Sequence, residues 1–236
     1  MKKIVLFVVC FSFLFSNLLI SKPKSKKEQE YIRNLLQQRI EDSKKNGILD
    51  LSKLQIKSLD GIQSALGSTC KKIKEIRMDH NKIKKIERDD LNRFRNLEIL
   101  DLSFNKISEI EKGAFAPLKK LVRLDLSNNK IKELQPQIFM NQRKLKDLDL
   151  SDNDIKILKR DLFRNLSALE QINLADNKIT HIPVSLFKRN KKIKEIYLAG
   201  NKVPALNEGL GKRDWTQMIQ DLKVKEEVLD LWGFNI

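Results

Sequence analysis

Cysteine is nearly absent from this 236-residue chain, with Cys10 and Cys70 the two present. A disulfide-stapled scaffold is therefore excluded, and no Cys pair stands at metal-ligand spacing. Histidine is equally scarce: His80 and His181 fall at different points of the pattern described below, which argues against a shared metal ion. Aromatic residues make up 6% of the chain and avoid the basic runs, where nucleic-acid bases would need them for stacking. There is no HExxH and no GxSxG, and "GLGK" at 209–212 is followed by Arg213 where a phosphate loop needs Ser or Thr. Neither catalysis nor a cofactor or metal is expected.

Long apolar runs are missing as well, except at the start. "MKKIVLFVVCFSFLFSNLLIS" places Lys2 and Lys3 before an apolar run from Ile4 to Ile20, interrupted by Ser12, Ser16 and Asn17. That is the layout of a secretory leader cut after Ser21. An uncleaved anchor is the alternative, because the run is only slightly shorter than a spanning helix. Phe7, Val8 and Val9 ahead of Cys10 lack the small residue that lipid attachment at that cysteine would prefer.

Acidic charge is in deficit. Lys and Arg number 47 against 31 Asp and Glu, a net charge of +16. Such a balance favours anionic partners: nucleic acid, a sulfated glycan or an acidic membrane face. Export counts against the first.

What the chain has in abundance is repetition. Asn81, Asn105, Asn129, Asn153, Asn177 and Asn201 are each 24 residues apart, without insertion or deletion. Aligned on them, the chain reads "IKEIRMDHNKI", "LEILDLSFNKI", "LVRLDLSNNKI", "LKDLDLSDNDI", "LEQINLADNKI" and "IKEIYLAGNKV". The common form is L-x-x-L-x-L-x-x-N-x-L. In "LVRLDLS", Leu124 and Leu126 alternate with Arg123, Asp125 and Ser127, the period of a strand with one buried face. One repeat cannot bury that face alone, but stacked repeats can. The repeated Asn sits where the chain turns inward, and its amide can bond backbone groups that a buried turn leaves unpaired. Leu91, Phe115, Phe139, Phe163 and Phe187 recur at one position and predict a column of large side chains behind the sheet. Phe94, Leu118 and Leu166 fill another slot, which Cys70 shares, so this cysteine is expected as a small buried hydrophobe.

These motifs closely resemble the leucine-rich repeat family from about Gly47 to Leu206. The resemblance implies an α/β right-handed solenoid, with a curved parallel sheet on its concave face. Helical caps are expected at both ends from the residue patterns given below. The expected organisation is a leader over 1–21, an N-terminal capping helix over 22–46, the solenoid over 47–206 and a C-terminal cap over 207–236. "GILDLSKLQIKSL" at 47–59 is a degenerate first repeat, with Leu54 in place of the Asn. Before it, Ser25 and Glu28 have capping-box spacing, and Ile32, Leu35, Leu36 and Ile40 form one helical stripe. At the far end Trp215, Met218, Ile219 and Leu222 share a helical face, and the tail "VLDLWGFNI" is read as folded back on the last repeat. Extracellular eukaryotic members commonly close their ends with cysteine-rich caps. Their absence, with the Lys-Lys leader, resembles a bacterial exported protein of the kind spirochaetes make. "NLS" at 165–167 is then no glycosylation site, and the residues after Leu206 are too few for the ubiquitin-ligase domain of some bacterial relatives.

Removing core and turn positions leaves the letters free to carry recognition. They are Arg77, Asp79, His80, Asp101, Phe104, Arg123, Asp125, Asn128, Asp149, Asp152, Asn173, Asp176 and Tyr197, all expected on the concave face. Phe104 and Tyr197 are the expected aromatic anchors. Asp101, Asp125 and Asp149 stand in register; stacked carboxylates repel, so the fold alone is not expected to ask for them. A cationic partner would relieve that repulsion, whereas a specific metal site lacks His or Cys ligands. Lys82, Lys106, Lys130, Lys178 and Lys202 each follow a repeated Asn, while Lys71–Lys72, Lys119–Lys120, Arg143–Lys144 and Lys191–Lys192 precede strand motifs. Both lips of the arc are thus expected to be basic around an acidic floor. About seven strands at roughly 4.8 Å give an arc wide enough for an interface of about 800 Å² per partner. The expected function is a secreted or surface-exposed binding module that contacts a protein through its concave sheet. Two alternatives stay open: adhesion to anionic glycans or membrane through the lysine edges, and a self-associating envelope protein.

Overall fold

The computed structural model describes residues 26–183, 185–202 and 229–230. The leader and the helical face around Trp215 lie outside the described residues. A helix α1 (Lys26–Asn46) leads into the first strand, β1 (Ile48–Asp50). A short helix α2 (Ile62–Leu66) and one 3-10 turn (Gly67–Lys71) follow, then β2 (Glu75–Arg77). From there each period contributes one three-residue strand: β4 (Ile99–Asp101), β6 (Arg123–Asp125), β7 (Asp147–Asp149), β8 (Gln171–Asn173) and β9 (Glu195–Tyr197). Two-residue strands β3 (Lys85–Ile86) and β5 (Glu109–Ile110) pair with each other on a separate small sheet. The main sheet has eight parallel strands in chain order and ends with β10 (Leu229–Asp230) beside β9. That pairing returns part of the apolar tail to the last regular repeat.

Register is set by the repeat itself. Leu100 pairs with Leu124 and Leu124 with Leu148, while Asp101 pairs with Asp125 and Asp125 with Asp149. The buried leucines therefore stack in one column and the polar letters in another. The return path of each repeat is made of turns, so the solenoid needs no helix on its outer side beyond the N-terminal region. Phe115, Phe139, Phe163 and Phe187 fill that side, with successive ring centroids 6.3, 6.1 and 5.6 Å apart. Cys70 is buried as expected, its Sγ–H donating to the Gln63 carbonyl at 3.5 Å, and burial pushes its thiol above the usual range.

The slot that Cys70 shares holds two residues that do not fit an apolar reading. Gln142 and Asn190 are fully buried there. Gln142 Nε2 donates to the Phe115 carbonyl at 2.6 Å, and Asn190 Nδ2 to the carbonyls of Phe163 at 2.9 Å and Leu166 at 2.8 Å. Each amide thus takes up backbone acceptors of the preceding turn, a use that leucine cannot provide.

The N-terminal helix caps the open end of the core. Leu36 and Ile40 are buried, with Ile32 and Leu35 packed beside them. Arg39 ties the helix to the sheet by donating to the carbonyls of Asp50 at 3.3 Å and Ser52 at 3.0 Å. The helix stops at Gly47 in a left-handed conformation (φ 75°), its N–H returning to the Ser43 carbonyl at 3.0 Å. Glycine is required there twice over, because a Cβ would also stand 3.1 Å from the Lys72 carbonyl oxygen.

The repeated Asn joins neighbouring repeats as expected. Asn129 Nδ2 donates to the carbonyls of Leu126 and Ser127 in its own repeat and of Leu102 in the preceding one, each at 3.0 Å. Its Oδ1 accepts the Ile107 N–H at 2.9 Å. Leu54 stands in the degenerate repeat without disrupting the ladder, because Asn81 Oδ1 reaches back to the N–H groups of Leu54 and Ile56 at 3.1 and 2.9 Å. Asn129→Ala strands one N–H and three carbonyls in a buried turn. We expect a loss of about 3–5 kcal/mol, read as a lower urea midpoint, against less than about 0.5 kcal/mol for the exposed Asp161→Asn.

Candidate functional site

Two adjacent columns hold the residues singled out from the sequence. The first is the central strand column, Arg77, Asp101, Asp125, Asp149, Asn173 and Tyr197, which β-pairing places side by side. Their carboxylates have a local use that corrects the expectation that the fold does not need them. Asp125 Oδ1 accepts the Ser127 N–H at 2.9 Å and the Ser127 hydroxyl at 2.7 Å. Asp101 with Ser103 and Asp149 with Ser151 repeat the arrangement. Asn173 performs the same turn with its amide oxygen, accepting Ala175 N–H at 3.0 Å, and its Nδ2 donates to Asp149 Oδ2 at 3.2 Å. "LDLS" is thus a turn device, and one oxygen of each carboxylate belongs to the frame.

The second oxygen carries the electrostatic cost. Burial, and then the neighbouring charges of Asp149 and Asp101, push Asp125 above the usual carboxylate range. Beside this column, Arg123 lies 3.7 Å from Asp147, and Arg77 Nε donates to Glu75 at 2.6 Å. Tyr197, one of the two expected anchors, is half-buried and donates its hydroxyl to Glu195 at 2.9 Å.

The second column ends the strands, one residue before each repeated Asn. His80, Phe104, Asn128, Asp152 and Asp176 all have φ between 51° and 55°, the left-handed region. The turn demands this conformation, and Asn and Asp adopt it readily. Histidine also tolerates it, whereas Phe104 does not, at a cost of roughly 1–2 kcal/mol. Their rings stack at a centroid distance of 4.4 Å and an angle of 10°, and His80 Nδ1 lies 2.9 Å from Asp79 Oδ2. Phe104 is nonetheless 47% exposed. A turn that takes Asn once and Asp twice in later repeats has here been given two rings facing solvent, Phe104 against local preference.

These positions line an open groove of about 850 Å³ along the strand ends, running from Lys53 past His80, Phe104 and Asn128 to Asp152 and Asp176. One end is basic, the middle is aromatic and amide, and the other end is acidic. Burial, then Asp176 and Asp149, raise the Asp152 carboxyl. The joining of His80 to Phe104 was not evident in the sequence, although a 24-residue offset between two ring-bearing letters is the signal that carries it.

The lysines after the Asn ladder lie along this same edge. Lys130 lines the groove, Lys82 is half-buried, and Lys106 and Lys202 are exposed. Lys178 is bonded to Asp154, which takes the lysine position in the fourth regular repeat. This lip is therefore less basic than expected. Among the described residues no group of three or more His, Cys, Asp or Glu is placed to hold a metal ion. None of the described helices is long and apolar enough to cross a membrane.

The family profile described as "Leucine rich repeat" matches residues 71–131 and 120–179. This chain has the leucine-rich repeat fold. Among solved structures, the leucine-rich repeat solenoid aligns with a chain of the TLR13–ssRNA13 complex at 24% identity and a TM-score of 0.63, over 69% of this chain and 23% of that one. It aligns with a chain of the Drosophila Toll–Spatzle complex at 26% identity and a TM-score of 0.54, over 61% of this chain and 18% of that one. The protein thus spans about a fifth of the length of these structures, and the likeness is one of fold. No curated protein sequence matches the chain. A leucine-rich repeat sheet with its polar letters bound up in turns fits a protein without catalytic activity of its own.

The Asp column yields a pH test. Asp125 has a raised folded pKa, so its ionisation disfavours the folded state: stability is fully present below the unfolded pKa and is lost as pH rises through the folded one. Asp125→Asn retains the acceptor for Ser127, as Asn173 does, and removes the repulsion. We expect a gain of about 0.5–1 kcal/mol at pH 7.5 that vanishes below the ordinary carboxylate range, whereas Asp125→Ala is destabilising at both. Urea titration at the two pH values reads the difference.

Proposed function

We propose that this protein is an exported, non-catalytic binding module whose concave face and strand-end groove hold another protein. The observation that carries the reading is the His80–Phe104 stack, two rings held in left-handed backbone and presented to solvent at the centre of a polar groove. Interface energy concentrates on such rigid aromatic anchors ringed by polar contacts. Asp152 and Asp176 at one end of the groove and Lys53 at the other set the charge order that a partner must match. Export rests on the Lys2–Lys3 leader and its apolar run. The leader, in a sequence with only two cysteines and so without cysteine-rich caps, supports a bacterial envelope or extracellular location, and this reading extends to a partner outside the producing cell, host proteins included.

Tyr197 takes a lesser part in this reading than Phe104, since its hydroxyl is already bonded to Glu195. The test is capture of partners from extracellular fluid and from the producing cell's envelope, by the wild-type protein and by Phe104→Asn and His80→Asn variants. Asn suits the left-handed turn, so both variants are expected to fold with equal or greater stability. Loss of at least about tenfold in partner affinity (about 1.4 kcal/mol) is expected for Phe104→Asn. Undiminished capture by a folded double variant rejects the groove as the contact surface.

A further inference from the structure

The edge at which the chain enters the strands is opposite the groove, and it holds the strongest concentration of one charge among the described residues. Lys71, Arg95, Lys119, Arg143 and Lys191 occupy one column, and Lys72, Lys120, Lys144 and Lys192 the neighbouring one. All nine are exposed. Bonds between repeats show that the columns run in line: Asn96 Nδ2 donates to the Lys71 carbonyl at 2.7 Å, Lys120 Nζ to Asn96 Oδ1 at 2.7 Å, and Ser167 Oγ to the Arg143 carbonyl at 3.3 Å. The cations therefore recur at the strand spacing of about 4.8 Å, with breaks at Asn96 in one column and at Ser167 and Ala168 in both.

The lysines one step closer to the sheet are neutralised by partners of their own. Lys74 lies 3.6 Å from Glu98, and Glu170 holds both Lys194 at 2.5 Å and Lys146 at 3.0 Å. These two lysines, Lys194 first, bring the Glu170 carboxyl down to about 2. In the next column Glu75 is paired with Arg77, Asp147 lies 3.7 Å from Arg123 and Glu195 accepts from Tyr197, so the basic strip is bounded on this side by charge-compensated columns. The uncompensated strip is only two residues wide and runs from repeat to repeat, a shape that a single anionic chain can follow along its length. Neither basic column contains an aromatic residue, so bases of a nucleic acid would find no ring to stack on.

We propose that the strand-entry edge binds a linear sulfated polysaccharide, laid along the two columns from Lys71 and Lys72 to Lys191 and Lys192. Its anionic groups recur along the chain as the cations recur along the solenoid, and arginines at Arg95 and Arg143 offer paired donors to a sulfate. This surface is separate from the groove of His80 and Phe104, and its occupancy does not depend on the protein-binding reading.

Calorimetric titration of the whole protein with heparin-derived oligosaccharides tests it. Two quadruple variants remove equal charge from opposite edges: Lys119→Gln/Lys120→Gln/Arg143→Gln/Lys144→Gln, and Lys82→Gln/Lys106→Gln/Lys130→Gln/Lys178→Gln. The first is expected to weaken binding by about thirtyfold or more and to flatten the salt dependence; the second is expected to change affinity by less than about threefold. Phe104→Asn is expected to bind heparin as the wild type does. Independently of any variant, heparin bound to the wild-type protein is expected to shield Lys119, Lys120 and Lys144 from acetylation and to leave Lys82, Lys106 and Lys130 reactive. Equal losses from both quadruple variants, or equal shielding of both edges, reduces the effect to net charge and overturns the proposal. So does tighter binding of duplex DNA or phosphatidylserine vesicles than of heparin, or no binding at low salt.

Discussion

Everything in this protein hangs on an asparagine side chain that satisfies a buried turn. A strand of three residues gives little ladder, and the chain must leave it immediately and pass inward beneath the next repeat. The backbone groups of that bend lie out of reach of water, where each unpaired one costs on the order of 1–3 kcal/mol. Asn105, Asn129, Asn153 and Asn177 each meet this need with an amide that donates within its own repeat and to the preceding one, and an oxygen that accepts from the preceding one. Because half of those bonds cross between repeats, the same device that closes a turn also fixes the spacing of the stack.

The site follows from that constraint. To deliver the Asn inward, the residue before it must adopt a left-handed backbone, and this creates a column of outward letters at regular spacing along one edge. In Asn128, Asp152 and Asp176 the letter agrees with the turn. His80 is tolerated there and Phe104 is not, and stacking of the two rings offsets part of the strain at Phe104. The carboxylates of the sheet obey a related rule, since Asp101, Asp125 and Asp149 close the turn to the following serine before they can serve a partner. Function here is written in what the frame leaves over: one carboxylate oxygen, one ring face, one lysine tip.

The two edges of the arc differ for the same reason. At the strand ends the path is crowded by the Asn turn, and the charges there are mixed, with Asp154 bonded to Lys178 and with Asp152 and Asp176 beside the lysines. At the strand entries the chain is still outside the core. Nine cations stand exposed there in two columns, on a part of the repeat that contributes no side chain to the Asn turn.

The sequence by itself determined the period, the direction of the strands' alternation, the place of the Asn ladder and the phenylalanine column. It also marked the amphipathic helix that covers the first repeat. The first four are local patterns repeated often enough to exclude chance, and the helix is marked by its single apolar stripe. Tertiary structure decided what depends on contact between letters 24 residues apart. It showed that Gln142 and Asn190 are buried amides serving the carbonyls of the turn before, and that the Asp column is partly structural. It joined His80 to Phe104, and it separated a paired, mixed edge from a basic one. A sequence lists side chains one at a time, but which of two neighbours a carboxylate bonds, and which ring a histidine lies on, is settled only when the stack brings successive repeats about 4.8 Å apart.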